Sequence, residues 1–269
     1  MKELKTGNFY GNTDQTHHLD GLVLTDTEYT IPRTEWHFHE NAYFTFIIAG
    51  KVLECNKRES FNCEEGTLLF HHWQEAHYNV KPPGYTRGFH LEIHKEWMEE
   101  IFPSQSSPEG SMSIEDPSIK LLFYQIYREA KIQDDLLKPA TEALLLKTLS
   151  LLTSRTGTRD RNPLWVPKVR EIIYDSYHEP FSLRDIAQEL NLHPVHLSRD
   201  FSKYFNCTLG EYIRKIKVEK SLSMFSRHDM TLTEIAHQCG FSDQSHYNRC
   251  FKQLMGLPPA TFRKIIRRC

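Results

Sequence analysis

The segment GFSDQSHYNRCFKQLMG, residues 240–256, determines how the C-terminal part of the chain folds. Tyr247, Phe251 and Met255 recur at four-residue steps, so a helix with one buried face is predicted here. Gly240 precedes that helix and suits the positive φ that a tight turn requires. Another helix is predicted immediately before the turn, and two helices joined in this way predict a helix-turn-helix unit.

An upstream copy of the same pattern is present. FSLRDIAQELNL at 181–192 aligns with MTLTEIAHQCGF at 230–241 at an offset of 49 residues. In each copy a hydroxyl residue stands three positions before a carboxylate, which predicts a capped helix start. These pairs are Ser182 with Asp185, and Thr231 with Glu234. Asn191 takes the turn position of Gly240, and the second helix of the first copy is predicted to bury Leu197, Phe201 and Phe205.

The opposite face of each second helix carries side chains that can read DNA bases. Glutamine and asparagine pair with adenine, arginine pairs with guanine, and valine contacts the thymine methyl group. The predicted DNA-binding residues are Val195, Ser198 and Arg199 in the first copy, and Gln244, Ser245, Asn248 and Arg249 in the second. Lys217 is predicted to contact phosphate. An ordinary solvated helix face remains the alternative, with the arginines in salt bridges to Asp200, Asp243 or Glu234.

The C-terminal 107 residues resemble the DNA-binding domain of the AraC/XylS family of bacterial transcription regulators. The resemblance rests on IAQELNLHPVHLSRDFSKYF at 186–205, on the 240–256 segment and on PPATFRK at 258–264. It implies seven helices, with a long helix at 209–225 joining two helix-turn-helix units. It also implies that both second helices enter successive major-groove segments of double-stranded DNA. Cys239 departs from the alanine or valine of many relatives.

Charge is distributed unevenly along the chain. Residues 1–162 hold 17 Lys and Arg against 24 Asp and Glu, a net charge of −7. Residues 163–269 hold 16 against 11, a net charge of +5. This asymmetry indicates that the second part is the one that meets a polyanion.

Composition excludes several classes of protein. No apolar run approaches the roughly 18 residues of a membrane span, and the first residues contain no apolar h-region. A soluble, cytoplasmic protein without a membrane partner is therefore predicted. The six cysteines form no CxxC pair, which predicts reduced thiols rather than a disulfide framework or a zinc knuckle.

The N-terminal part predicts strands followed by helices. Short apolar runs between Thr30 and Glu92 are separated by glycine and proline, which favours an antiparallel barrel or sandwich. Apolar residues at three- and four-residue steps predict two helices, over Ile119 to Tyr127 and Leu144 to Leu152, broken near Pro139. Their apolar surface exceeds what one face against the barrel needs, so they are predicted to form a homodimer interface.

Three histidines stand out among the predicted strands. His37 and His39 lie two residues apart and share one strand face, and His77 follows a predicted turn. This arrangement resembles the cupin barrel that commonly precedes an AraC-type domain, which implies that the histidines face its interior. Metal-binding cupins add a glutamate where this chain has Tyr43 and Phe44. A hydrogen-bonded lining, effector contact and a three-imidazole metal site remain alternatives. No cofactor or metal is predicted, and the predicted effector-binding residues are His37, His39, Phe44, Phe46 and His77.

The predicted fold class is α+β with several domains. A cupin-like antiparallel β-barrel with two following helices precedes an all-α domain with two helix-turn-helix units. The predicted ranges are 1–110 for the effector-sensing barrel, 111–154 for a helical dimerisation segment, 155–163 for a linker and 164–269 for the DNA-binding domain.

These features together predict a transcription regulator that binds promoter DNA and is controlled by a small-molecule effector. RNA polymerase is a predicted further partner if the protein activates transcription. The alternative is a metal-dependent cupin enzyme fused to a DNA-binding domain. An enzyme is not predicted, because the cupin glutamate is missing and no other nucleophile, phosphate loop or carboxylate pair stands out.

Overall fold

The structure, a computed structural model, describes residues 1–101, 110–156, 163–179, 182–227 and 229–267. The chain divides into two compact units, Met1–Thr153 and Ser154–Cys269. Most of the predicted linker lies outside the described residues, so the proposed domain limits stay a prediction. None of the described helices is long and apolar enough to cross a membrane.

The first unit contains eleven strands and three helices within the described residues. The strands are β1 (Lys2–Leu4), β2 (Asn12–His18), β3 (Leu22–Glu28), β4 (His37–His39), β5 (Ala42–Ala49), β6 (Lys51–Asn56), β7 (Ser60–Glu64), β8 (Leu68–His71), β9 (His77–Val80), β10 (Arg87–Ile93) and β11 (Met112–Ser113). The helices are α1 (Lys95–Ile101), α2 (Pro117–Ile132) and α3 (Leu137–Thr156).

The strands form two sheets, in the orders β1-β4-β9-β6-β7 and β11-β8-β5-β10-β3-β2. All neighbouring strands are antiparallel except β1 and β4, which are parallel. The predicted antiparallel β-domain with following helices is therefore confirmed. In the described part of the chain, however, its strands form two separate sheets rather than one closed barrel.

Strand β5 shows how the second of these sheets separates a polar inner face from an apolar outer face. Successive side chains of a strand point to opposite faces. Phe44 and Phe46 lie on the outer face, where their rings pack against Phe123 of α2 at centroid distances of 4.8 and 6.1 Å. Phe89 of β10 packs in the same way against Tyr127. Helix α2 thus covers the outer face of the six-stranded sheet.

The break between α2 and α3 lies earlier than predicted. Helix α2 ends at Ile132, and Gln133 adopts a left-handed conformation with φ of 56°. Pro139 does not break a helix, because it lies in the first turn of α3, where its missing N–H has no helical partner to lose. Most of the surface of helix α2 is buried. Leu136, just before α3, and Leu146, within α3, are exposed.

Seven helices form the described part of the second unit, as the family resemblance implies. They are α4 (Trp165–Ser176), α5 (Leu183–Glu189), α6 (Pro194–Phe205), α7 (Leu209–Ser223), α8 (Leu232–Gln238), α9 (Gln244–Met255) and α10 (Pro259–Ile266). Helices α5 and α6 form the first helix-turn-helix unit, and α8 and α9 form the second. Helix α7 follows the first and precedes the second.

The local signals that predicted these two units are confirmed. Complete capping boxes join Ser182 to Asp185 and Thr231 to Glu234. The turn residues Asn191 and Gly240 have φ of 53° and 72°. The predicted core side chains of α6 and α9 are buried: Leu197, Phe201, Phe205, Tyr247, Phe251 and Met255. Burial of these side chains leaves the opposite faces of α6 and α9 free to meet solvent.

Candidate functional site

A histidine-rich pocket lies between the two sheets of the first unit. His37 and His39 of β4 and His77 of β9 come from the five-stranded sheet, and Tyr43 and Thr45 of β5 come from the six-stranded sheet. The cavity between them has a volume of about 30 Å³. A space of this size holds about one water molecule or one ion.

The strand register brings the three predicted histidines together. His37 and His39 alternate with Phe38 and share a face of β4, and His37 lies directly opposite His77 on β9. Each of the three histidines offers one ring nitrogen, and these three nitrogen atoms lie within 4.8 Å of one another. All three side chains are buried. The spacing of the three histidines in the sequence therefore predicted this cluster correctly.

Backbone carbonyl groups determine which nitrogen of two rings carries hydrogen. Nδ1 of His37 lies 2.8 Å from the carbonyl oxygen of Glu35, and Nδ1 of His77 lies 3.1 Å from that of Glu75. Because a carbonyl oxygen only accepts, both Nδ1 atoms must donate. Nε2 of each neutral ring is then a lone-pair donor, and Tyr43 donates its hydroxyl hydrogen to Nε2 of His77 at 3.0 Å.

Burial keeps the imidazoles of the pocket neutral. Desolvation lowers the pKa of His77 to about 3, helped by the neighbouring His37. It also lowers the pKa of His37 and holds that of His39 well below its ordinary value. The cluster therefore presents neutral rings at physiological pH. Neutral imidazole is the form that binds metal ions and that accepts hydrogen bonds from a ligand.

His90 also lines the pocket and His71 packs against its residue Tyr43, although the sequence interpretation identified neither histidine. Nδ1 of His90 lies 3.2 Å from Oγ1 of Thr45, and Nε2 lies 3.2 Å from the hydroxyl of Tyr29. Desolvation lowers the pKa of His90 to about 3. Strand register could have identified His90, because Thr45 and His90 face each other across β5 and β10.

A buried carboxyl group, Glu54, lies beside His71. Oε1 of Glu54 is 3.3 Å from Nε2 of His71, and Asn79 donates to the other carboxyl oxygen at 3.2 Å. Desolvation raises the pKa of Glu54 to about 8 and lowers that of His71. We therefore describe a neutral pair, in which a protonated Glu54 lies beside a neutral His71 whose Nε2 has no hydrogen-bond partner among the described residues. Ser111, which lies 3.3 Å from Nδ1 of His71, donates onward to Glu75 at 2.7 Å.

The N-terminal segment closes one side of the pocket. The ring of Phe9 stacks on His90 with a centroid distance of 3.7 Å and an interplanar angle of 6°. Tyr10 lies edge-on to His37 at 4.8 Å. The backbone N–H of Gly7 donates to the buried Glu92 at 2.7 Å, which holds the segment in place. The sequence interpretation missed this segment, because no local pattern connects it to strands that follow much later in the chain.

Two of the predicted effector-binding residues lie elsewhere. Phe44 and Phe46 point away from the pocket and pack against α2, so the prediction that they line it is wrong. The prediction selected the aromatic side chains of β5, but its alternation places Tyr43 and Thr45 inside. His37, His39 and His77 do line the pocket.

The second candidate site is the outer face of α6 and α9. Each of the seven predicted DNA-binding side chains is exposed there. Val195 exposes 66% of its surface, which is unusual for a branched apolar side chain on a folded domain. Nε of Arg199 lies 3.2 Å from Oδ1 of Asp200, and both groups face solvent, so this pairing is weak. Thr233 donates to Oε1 of Gln244 at 2.8 Å.

Lys217, the residue predicted to contact phosphate, makes contacts within the protein. Its Nζ donates to the carbonyl oxygen of Gly240 at 2.5 Å, and it lies over the ring of Phe241 at 5.8 Å. Desolvation lowers its pKa. The ammonium group is thus turned toward the turn of the second helix-turn-helix unit and has a partner within the protein, so the phosphate contact stays a prediction.

Comparisons with known proteins identify both units. Residues 21–149 match a family described as an AraC-like ligand binding domain, and residues 186–265 match one described as a helix-turn-helix domain. The Msm operon regulatory protein of Streptococcus mutans is 32% identical over 38% of this chain and 37% of its own length. A protein of Proteus vulgaris, named as probable transcription factor PqrA, is 34% identical over 32% of this chain and 71% of its own.

Among solved structures, ToxT of Vibrio cholerae aligns with 91% of this chain and 99% of its own, at 14% sequence identity and a TM-score of 0.40. The chain spans less than half the length of the first three curated relatives that it matches.

Proposed function

Because this chain belongs to the AraC family of transcription regulators, we propose that promoter sequences are read by α6 and α9 under the control of a small molecule in the histidine pocket. The family assignment supplies a ligand-binding domain and a DNA-binding domain. We propose no catalytic step, since the relatives described above are named as a regulatory protein and a transcription factor.

One observation carries the DNA-binding proposal. Two repeated units present chemically matched side chains at equivalent positions of their second helices, with Arg199 in one and Arg249 in the other. Neither arginine is needed to hold the fold, because both side chains are exposed on the face opposite the core. An arginine that reaches a guanine edge donates two parallel hydrogen bonds and discriminates between bases.

The pocket supports the effector proposal through its wall chemistry. Aromatic rings and neutral imidazoles surround the cavity, which suits a molecule with an apolar body and a polar group. Ligand pockets for organic molecules have about 300–1,000 Å³, and the cavity has about 30 Å³. An organic effector must therefore displace Phe9 and Tyr10, and the free energy of that displacement couples binding to a change in the N-terminal segment.

We also propose that the protein acts as a homodimer. Leu136 exposes 64% of its surface and Leu146 exposes 40%, at the start and in the middle of the α3 region. Two-fold association through this surface would double the number of DNA segments read. RNA polymerase is proposed as a further partner if the protein activates transcription.

The test begins with a random DNA pool from which the full chain selects its preferred site. We expect a site with two segments about 10 base pairs apart, since two helices of one chain read one DNA face. Candidate metabolites are then screened for those that change affinity for this site. His90→Ala, in the pocket wall, should abolish the response, whereas His72→Ala, outside the pocket, should preserve it. Selection of no sequence at all would refute the proposed function.

A further inference from the structure

The three histidines His37, His39 and His77 form a cluster whose geometry suits a metal ion. We propose that they bind one divalent transition-metal ion of the type that prefers imidazole, such as Zn²⁺ or Co²⁺. This proposal goes beyond the function proposed above and does not depend on it. The metal proposal stands even if the protein binds DNA without any metal. It also stands if the ion has a purely structural role.

Distances support the proposal first. The candidate nitrogen atoms of the three rings lie within 4.8 Å of one another. Nitrogen atoms that share one zinc ion at about 2.0–2.1 Å stand about 3 Å apart. The rings therefore need to approach by up to about one to two ångströms when an ion binds. Among the residues that the structure describes, these three form a group of potential metal ligands.

The outer partners of the rings support it next. Histidines that bind metals commonly donate their other N–H to a backbone carbonyl or carboxylate, which fixes the ring orientation. His37 and His77 already donate in this way to the carbonyl oxygens of Glu35 and Glu75. The rings are thus oriented before an ion arrives, so less ordering has to accompany binding.

His39 supplies an observation of a different kind. Its side chain is 2% exposed, and its Nδ1 has no hydrogen-bond partner among the described residues. A buried polar atom without a partner destabilises the folded protein. An ion that bound Nδ1 of His39 would give this atom a partner that the described residues do not provide.

The size of the cavity favours an ion over an organic molecule in this conformation. About 30 Å³ is free, and Phe9 covers the adjacent His90. An ion needs no movement of Phe9 or Tyr10, whereas an organic effector does. Three neutral nitrogen donors without a carboxylate also favour zinc or cobalt over the oxygen-seeking Mg²⁺ and Ca²⁺.

Tyr43 of β5 contacts His77, one of the three proposed ligands. Its hydroxyl donates to Nε2 of His77, so an ion that uses this nitrogen must replace that hydrogen bond. Removing the hydroxyl therefore removes a competitor for the lone pair. A merely structural cluster of rings has no reason to respond in this direction, which makes Tyr43→Phe a diagnostic variant.

The experiment uses the full chain without an affinity tag, freed of metal by dialysis against a chelator. Co²⁺ is added and its visible ligand-field absorption is recorded, and Zn²⁺ is then added to displace it. We expect one Co²⁺ per chain, at least a hundredfold weaker binding in His39→Ala, and several-fold tighter binding in Tyr43→Phe. His72→Ala, which alters a half-buried histidine outside the cluster, should bind as the wild type does.

Circular dichroism of each variant shows whether it has folded, and His37→Gln provides a second ligand variant that keeps the volume of the side chain. The proposal is overturned by an absence of the ligand-field band in the folded wild type. It is equally overturned if folded His39→Ala and His37→Gln both bind Co²⁺ with unchanged affinity, because the ion would then occupy an adventitious site. Selection of a DNA site by metal-free protein is scored separately and reports only on the proposed function.

Discussion

The hydroxyl of Tyr43 on β5 donates to Nε2 of His77 on β9 across 3.0 Å, so one hydrogen bond joins the inner faces of the two sheets. Burial raises the pKa of Tyr43 well above its ordinary value, so the donor keeps its hydrogen. It also lowers the pKa of His77 to about 3, so the acceptor keeps its lone pair. The lone pair that accepts this hydrogen bond is therefore the one that the proposed ion would use.

Replacing Gly240 should destabilise the second helix-turn-helix unit. Its φ of 72° disfavours any side chain, and a Cβ atom there would lie 2.3 Å from the carbonyl oxygen of His178. We expect Gly240→Ala to lower the free energy of unfolding by about 2–4 kcal/mol in urea denaturation. Asn191→Gly, at the equivalent turn of the first unit, is the control and should change stability by less than about 1 kcal/mol. Equal losses in both variants would contradict this account of the turn.

Lys217 should contribute to stability rather than to DNA affinity. Lys217→Ala leaves the carbonyl oxygen of Gly240 without its donor and exposes part of Phe241. We expect unfolding to become easier by about 1–3 kcal/mol. The slope of log affinity against log salt should stay unchanged, because no phosphate contact is lost. A slope reduced by about one in this variant would show that Lys217 does contact phosphate, as the sequence predicted.

The buried Glu54 should make the stability of the first unit depend on pH. Its pKa is about 8 in the folded chain and near its ordinary value of 4.5 when unfolded. Between these values the unfolded chain loses the proton first, so this group's contribution to stability falls as pH rises from about 4.5 through 8. Glu54→Gln keeps an acceptor for Asn79 and does not titrate.

The variant should therefore gain stability over the wild type as pH increases, by about 1.4 kcal/mol for each unit of pKa difference that is realised. Urea denaturation at several pH values measures this gain. Glu64→Gln, which changes an exposed carboxylate, should follow the wild type throughout. A constant difference between Glu54→Gln and the wild type would show that Glu54 is ionised in the folded protein.

The α3 region should mediate the proposed dimer. Leu146→Glu places a charge in an apolar contact, and we expect it to convert a micromolar dimer into a monomer in sedimentation velocity. Lys147→Ala, which changes the neighbouring exposed residue, should remain dimeric. A wild-type protein that sediments as a monomer with and without DNA would contradict the proposed dimer.

The C-terminal unit was largely predictable because its signals are local. A capping hydroxyl, a carboxylate three residues later and a turn residue with positive φ lie within a dozen residues of one another, and each has a single structural meaning. The two copies also reinforced each other. The hydrogen bond of Lys217 was not predicted, because its partner, the carbonyl oxygen of Gly240, is 23 residues away and no local pattern indicates it.

The pocket was predictable only in part because it depends on pairing between distant strands. His37 and His39 share a face by strand geometry alone, and this was predicted correctly. Phe44 and Phe46 were assigned by their aromatic character, but α2 required an apolar surface on the outside of the same strand. Phe9 and His90 are 81 positions apart in the chain, and no periodic pattern in the sequence indicates that their rings stack.

The most direct test of the central claim measures the affinity of the full chain for its selected DNA site and for every single-base variant of that site. Wild type, Arg249→Ala and Arg249→Lys are compared at fixed salt concentration. If α9 reads bases, Arg249→Ala should weaken binding to the selected site by about 1–3 kcal/mol and lose its preference at one base pair. Arg249→Lys keeps the charge but not the two parallel hydrogen bonds, so it should recover general affinity without recovering that preference. Unchanged affinity and unchanged preference in Arg249→Ala would contradict the claim that this chain reads promoter sequence through its second helix-turn-helix unit.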